Sequence, residues 1–173
     1  MIQVAQPTEI ALQERVGESV APQRVCFVCT GNTCRSPMAA AVANHLAAQA
    51  GNSEPRLEAF SAGLFAQEGE PIAQNAVRAL EAAEVAPTPD KDYHAHTAHT
   101  LLEREAAGFD WLIGLSGQHA MELMLRFPHL ASKILAMPEA IFDPYGGDLP
   151  LYELCLQQIQ KGVRVLLFEG ERV

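Results

Sequence analysis

Cys29 and Arg35 stand six residues apart in the stretch VCFVCTGNTCRSPM, residues 25–38, with Ser36 directly after the arginine. A thiolate is a strong nucleophile, and a guanidinium offers a planar fork of donors that fits two oxygens of a phosphate. Between them runs Thr30-Gly31-Asn32-Thr33-Cys34, short and polar. If that run curls at the start of a helix, its N–H groups converge on one point, where the helix dipole also favours negative charge. Gly31 and Asn32 are expected to supply the positive φ that such a curl needs. Ser36 is expected to cap the helix and to donate to the Cys29 sulfur, with Pro37 at the first helical position. The same donors favour the thiolate, the form that attacks. A Cys and an Arg at this spacing are a weak signal by themselves. The apolar run before them, Gly31-Asn32 between them and Ser36-Pro37 after them make the arrangement specific.

Attack of a thiolate on phosphorus expels a basic leaving group, and that group needs a proton. Asp143, in the turn-rich IFDPYGGDLP of residues 141–150, is the candidate acid, with Pro144 stiffening the chain beside it. The same carboxylate can then act as base on the water that cleaves a phosphocysteine. By itself an Asp before a Pro more often just starts a turn, so the assignment leans on the cradle around Cys29.

These residues need elements to hold them. Val25–Val28 is a short apolar run that reads as a buried strand, and residues 37–51 form a helix with Ala39, Val42, Ala43, Leu46 and Ala47 on its inward face. Small residues there let the helix lie close to a sheet and keep the loop at its start aimed. Arg56–Ala62 alternates as a second strand, ended by Ser61-Ala62-Gly63. Pro71–Val85 is a second helix with Ile72, Ala76, Val77, Leu80 and Ala83 on one face. Residues 100–108 are helical, 109–115 a third strand, 118–127 helical, 133–137 a fourth strand, and 151–168 the closing helix burying Leu151, Leu154, Ile159, Val163 and Leu166. Strands alternating with helices predict an α/β three-layer sandwich, with a central four-stranded parallel sheet and helices on both faces. Residues 23–173 form that domain, and residues 1–22 are expected to be a loose arm with a short helix at Thr8–Val16.

The stretch FVCTGNTCRSPM resembles the signature loop of the low-molecular-weight protein-tyrosine phosphatases, which include bacterial arginine phosphatases. The resemblance runs from about Val25 to the last helix, through Ser61-Ala62-Gly63, Gly69-Glu70-Pro71 and Asp143-Pro144-Tyr145-Gly146-Gly147. It implies a Rossmann-like phosphatase fold and a metal-free, cofactor-free hydrolase of phosphorylated protein side chains. Cys29 would be the nucleophile, Arg35 the phosphate ligand and Asp143 the general acid and base. Thr30, Gly31, Asn32, Thr33, Cys34 and Ser36 would bind phosphate, while Phe65 and Tyr145 would wall the substrate pocket. The resemblance also gives His96 a bracing role beside the site. The family often has Met-Asp where Leu115-Ser116 stands here, and its eukaryotic members carry a second aromatic where Gly146 follows Tyr145. Thr30 and Phe65 resemble the arginine-directed branch and Tyr145 the tyrosine-directed one, so phosphotyrosine is the expected substrate with phosphoarginine the alternative. A hydroxyl at the rim can hydrogen-bond a guanidino group, which an aliphatic chain cannot.

Other classes fit less well. Thiol-dependent arsenate reductases share the fold and loop, but the 80s–90s region has no cysteine pair to relay electrons. A binding module without activity would lack one of Cys29, Arg35 and Asp143. Cys34 could instead shield an oxidised Cys29 as a disulfide, while Cys26 and Cys155 read as core. His94, His96 and His99 cluster, but with no Cys or carboxylate to complete a ligand set no metal is expected. His45, His119 and His129 read as ordinary surface or helix residues. A net charge of −9 argues against nucleic acid and anionic membranes as partners. The four cysteines fit no staple pattern, and the N-terminus has no leader pattern, so the expected location is the cytoplasm.

Overall fold

A computed structural model of the chain describes residues 21–51 and 57–169. The expected arm lies outside the described residues except at its last two positions, and the Thr8–Val16 helix lies wholly outside them. Four strands, β1 (Gln23–Cys29), β2 (Leu57–Gly63), β3 (Trp111–Gly114) and β4 (Ile134–Ala136), form one parallel sheet in the order β2-β1-β3-β4.

Side chains along β1 alternate between two cores, as the period of a strand requires. Val25, Phe27 and Cys29 enter the larger core with residues of α1 (Arg35–Ala50), α2 (Gln74–Ala82) and α5 (Leu149–Val163). Cys26 and Val28 enter the opposite core with residues of α3 (Glu103–Ala107) and α4 (Gly117–Arg126). The sandwich predicted from strand–helix alternation is therefore present.

Its topology also places the site. The chain leaves β1 towards α1 on one face and leaves β3 towards α4 on the other. The crevice opens between those two departures at the carboxyl ends of the strands, where ligands bind in open parallel sheets.

Several boundaries and faces differ from the sequence reading. The strand and helix ends shift by one to three residues, and α3 keeps only Glu103–Ala107 of the expected span. In α2 the buried residues are Ala76, Ala79 and Leu80, while Ala83 is the exposed C-cap. The closing helix starts at Leu149 because Asp148 caps it, its Oδ1 accepting the Leu151 N–H at 3.2 Å. Tyr152, Cys155 and Leu156 lie on the inner face with Ile159 and Val163, at helical spacing, and Leu154 is exposed. The helix gives way to a single wider turn over Arg164–Phe168, which still buries Leu166 and Leu167.

Candidate active site

Cys29 ends β1 with its side chain only 3% exposed, at the floor of the loop that leads into α1. The floor is built on Asn32. This residue takes φ 58°, which an asparagine tolerates better than most side chains. Gly31 is not in that region, so the expected positive φ falls on Asn32 alone. The Asn32 amide donates to Ser36 Oγ at 2.9 Å and to Ser61 Oγ at 3.0 Å, and its Oδ1 accepts the His99 N–H at 3.1 Å. His96 Nε2 donates to the Asn32 carbonyl at 2.7 Å. The bracing expected of His96 is thus a bond to the loop backbone.

Ser36 does not cap the helix. The helix begins at Arg35, so Ser36 is its second residue, and Cys34 precedes it without a side-chain cap. The Ser36 hydroxyl instead lies 3.0 Å from Cys29 Sγ and 3.3 Å from the Ala62 carbonyl. One hydroxyl proton serves two acceptors. While the thiol is protonated it can go to Ala62, and once a thiolate forms it can turn to the sulfur. Pro37 is the third helical residue, where its missing N–H still belongs to the unpaired first turn.

The loop is clamped to the end of β2. Leu64 N–H donates to the Cys29 carbonyl at 2.9 Å, and Phe65 N–H to the Thr30 carbonyl at 3.0 Å. This approach needs Gly63, since a Cβ there would stand 2.7 Å from the Thr30 carbonyl oxygen and 3.2 Å from Asn32 Cβ. With the carbonyls engaged outward, the N–H groups of Gly31 to Arg35 find no acceptor among the described residues. Unpaired donors of that kind, at the start of a 16-residue helix, are what an anion binds.

Arg35 is buried against the opposite wall. One guanidinium nitrogen donates to the Ile141 carbonyl at 3.3 Å, and the other lies 3.3 Å from Asp143 Oδ2. Asp143 makes the turn that the sequence offered as its plainer role, and it also faces Arg35. Its Oδ1 accepts the Tyr145 N–H at 3.1 Å and makes a turn, while Oδ2 faces Arg35. The Asp143 side chain is 55% exposed and so open to solvent. Phe65 and Tyr145 are 67% and 78% exposed, and the Arg126 guanidinium sits 4.8 Å over the Phe65 ring.

The remaining candidates sort by their partners. Thr30 is exposed, with Oγ1 3.1 Å from His119 Nε2. Thr33 gives its carbonyl to the Ala73 N–H at 2.8 Å. The Cys34 thiol lies 3.2 Å from Tyr152 Oη, and burial raises its pKa. Burial also raises the Cys155 thiol to about 12. All four cysteines are free thiols. The clustered histidines separate: His94 lies 2.7 and 2.9 Å from carboxylate oxygens of Asp92 and Glu81, and His99 2.8 Å from Glu105.

His119 is not an ordinary helix residue. It is 7% exposed, and burial, followed by the positive charge of Arg35, lowers its pKa to about 4. Burial thus favours the neutral imidazole beside the cradle near neutral pH. The sequence held one signal for it, Ser116 three residues earlier, which is the spacing of a helix cap to the backbone it serves. Nothing in the sequence tied that turn to Thr30.

The family described as low molecular weight phosphotyrosine protein phosphatase matches residues 24–173 of this chain. A protein-arginine-phosphatase of Geobacillus stearothermophilus is 30% identical over 149 residues, which is 80% of this chain and 90% of the relative. A crystal structure of a low molecular weight protein tyrosine phosphatase from T. tengcongensis superposes with a TM-score of 0.73 at 33% identity, over 84% of this chain and 97% of that one. The arginine phosphatase YwlE, in a cysteine-to-serine mutant whose active-site serine is phosphorylated, superposes with a TM-score of 0.74 at 26% identity, over 84% and 93% of the two chains.

Proposed function

This chain belongs to the low molecular weight phosphotyrosine protein phosphatase family, a family of hydrolases, and we propose that it dephosphorylates protein side chains through a phosphocysteine on Cys29. The observation that carries the proposal is a row of loop N–H groups without an acceptor among the described residues, running from Cys29, whose sulfur lies 3.0 Å from Ser36 Oγ, to Arg35, whose guanidinium lies 3.3 Å from Asp143 Oδ2. The phosphorylated active-site serine of the YwlE mutant supports a covalent step at the cysteine of such a loop.

The loop N–H groups and Arg35 hold the three outer phosphate oxygens, so the substrate phosphorus sits above the sulfur. Cys29 Sγ attacks, the bond to the leaving atom breaks, and the proton on Asp143 Oδ2 moves to that atom. Ser36 donates to the sulfur before attack and stabilises it again as leaving group. Asp143, now a carboxylate, takes a proton from the entering water. The oxygen of that water attacks phosphorus, the P–S bond breaks, and inorganic phosphate and the thiolate remain. Positive charge for the dianion is local to this cradle, which reconciles an anionic substrate with an acidic protein.

Phosphotyrosine is the first substrate we propose, with Tyr145 and Phe65 as exposed aromatic walls for its ring. Phosphoarginine is the second, because Thr30 presents a hydroxyl at the rim and the Geobacillus relative is a protein-arginine-phosphatase. Four free thiols support a reducing, cytoplasmic setting, and no described helix is long and apolar enough to cross a membrane. The test is kcat/KM on a phosphotyrosine and a phosphoarginine peptide, with Cys29→Ser as control. Turnover of at least one peptide, lost in Cys29→Ser, is expected. Wild type no better than the control on both peptides would sink the phosphatase reading.

A further inference from the structure

The mechanism above makes no use of His119, although it is the one histidine among the described residues that the fold encloses. Both ring nitrogens are engaged, Nε2 at 3.1 Å from Thr30 Oγ1 and Nδ1 at 2.9 Å from Ser116 Oγ. Ser116 is itself fixed as the cap of α4, accepting the His119 N–H at 3.3 Å. The turn cannot drift from the sheet either. A Cβ on Gly114 at the end of β3 would stand 2.5 Å from Ala120 N and 3.0 Å from the His119 carbonyl carbon, so the first turn of α4 is seated directly on that strand.

The far end of α4 holds the neighbouring wall. Arg126 donates to the Leu64 carbonyl at 2.7 Å and stacks over Phe65, while the Phe65 N–H returns to the Thr30 carbonyl. One helix thus fixes two adjacent pieces of the rim, Thr30 through His119 and Phe65 through Arg126. Thr30 follows the nucleophile directly and is exposed, which puts it at the rim of the cradle, on the side from which a substrate enters.

We propose that His119 is a positioning residue for substrate selection, which fixes the direction of the Thr30 hydroxyl and thereby favours leaving groups that carry N–H donors over aryl oxygens. The inference rests on the phosphatase reading. The selection uses the tautomer in which Nδ1–H donates to Ser116 and Nε2 accepts the Thr30 O–H, so that the hydroxyl proton is spent and the Oγ1 lone pairs stay open in set directions. The bridging nitrogen of a phosphoguanidino group, or its neighbour, can donate to that lone pair. The ester oxygen of an aryl phosphate carries no proton and gains nothing from it. Without His119, Thr30 can rotate about χ1 and the preference decays.

The experiment measures the ratio of kcat/KM for a phosphoarginine peptide to that for a phosphotyrosine peptide, each pair on one preparation. A ratio does not depend on the folded fraction, so partial misfolding of a variant leaves it readable. His119→Leu and Thr30→Val are each expected to lower the ratio about five- to tenfold, the worth of one neutral hydrogen bond. The double variant is expected to match Thr30→Val, because His119 acts only through Thr30. His119→Gln, which keeps a hydrogen-bonding tip, is expected to recover part of the ratio. An unchanged ratio in His119→Leu, an additive loss in the double variant, or a wild type that processes phosphotyrosine alone would overturn this inference and leave the phosphatase reading standing. A wild type inactive on both peptides would overturn both.

Discussion

The loop that carries Cys29 and the loop that carries Asp143 meet at Arg35, yet they are held in opposite ways. The first is fixed from inside: Asn32 and Ser36 are fully buried, and their side chains bond to β2 and to the 96–99 segment. The second is anchored to the body up to Phe142, by the Ile141 N–H to the Leu115 carbonyl, by Arg35 to the Ile141 carbonyl and by the Phe142 N–H to Gln158. From Asp143 to Gly147 it is held mainly by its own turn, through Asp143 and the Gly147 N–H to the Pro144 carbonyl at 2.8 Å, with the Arg35 pair and the Asn75 amide at 3.2 Å from the Gly147 carbonyl as its ties outward. The chemistry accounts for the contrast. Donors that stabilise developing charge must already point the right way when it appears, because reorganising them would raise the barrier. A proton donor has to reach leaving groups of different shape and then admit water, so an open, solvated carboxylate suits it.

That contrast predicts unequal responses to mutation. Removing the hub should hurt most. Asn32→Ala leaves the Ser36 and Ser61 hydroxyls short of a donor, strands the His99 N–H and forces alanine to positive φ. The expected cost is about 3 kcal/mol of stability by urea unfolding, with kcat/KM reduced about a thousandfold. Near wild-type values in both assays would mean the loop is not pre-set by this network.

Asp143→Asn should separate catalysis from folding. Asparagine can keep the turn bond to the Tyr145 N–H, and the Asp143 end of the pair with Arg35 is 55% exposed, where solvent screens the interaction. The urea midpoint should therefore stay within about 0.5 kcal/mol of wild type while kcat falls about a hundredfold. The deficit should shrink with a nitrophenyl phosphate, whose leaving group needs no proton. An equal deficit with both substrates would take the acid role away from Asp143.

Two histidines extend the contrast to pH. His119 has its folded pKa near 4 against 6.5 for an ordinary histidine, so as pH falls through that window the unfolded chain takes up the proton first and stability is lost. The loss begins below about pH 6.5 and, after allowance for solvent near the rim, amounts to roughly 1–2 kcal/mol by pH 5. His94 has the opposite sign. Hydrogen bonds to Glu81 and then Asp92 raise its pKa, so any stabilisation is present at low pH and disappears as pH rises through the raised value. Urea unfolding at about pH 7.5 and pH 5 reads both. Relative to wild type, His119→Gln should lose less stability on acidification, and His94→Gln should lose slightly more.

What the sequence could show follows the same division. The strand, the Cys29–Ser36 loop and the Ala-rich helix are local in sequence, so their residue types revealed the cradle before any long-range contact was known. The parallel sandwich was legible for a similar reason, through strands alternating with helices. The roles that depend on packing were not. Ser36 has the chemistry of an N-cap, but the helix begins one residue ahead of it and its hydroxyl turns to the sulfur. His119 lies 89 residues from Thr30, and only the crossover between β1 and β3 brings the two together. Leu154 stands three residues from Leu151 but five from Ile159, off the stripe of Cys155, Ile159 and Val163 that packs inward, and it is exposed.

The smallest effect we predict concerns the two aromatic walls, one from each region. Phe65 is bolted to the fixed side by its own backbone N–H and by the Arg126 guanidinium. Tyr145 stands on the open loop at 78% exposure, and its side chain has no hydrogen-bond partner among the described residues. A wall that is already ordered loses little entropy when a substrate ring stacks on it, whereas a free side chain must be immobilised first. Phe65→Ala should therefore raise KM for a phosphotyrosine peptide more than Tyr145→Ala does, by about tenfold against about threefold. Inhibition by inorganic phosphate, which touches neither ring, should be unchanged in both variants. Equal losses in KM would show that Tyr145 is held as firmly as Phe65 once substrate is bound. The open loop would then close over the ring, and its looseness in the free enzyme would serve entry and release rather than breadth of substrate.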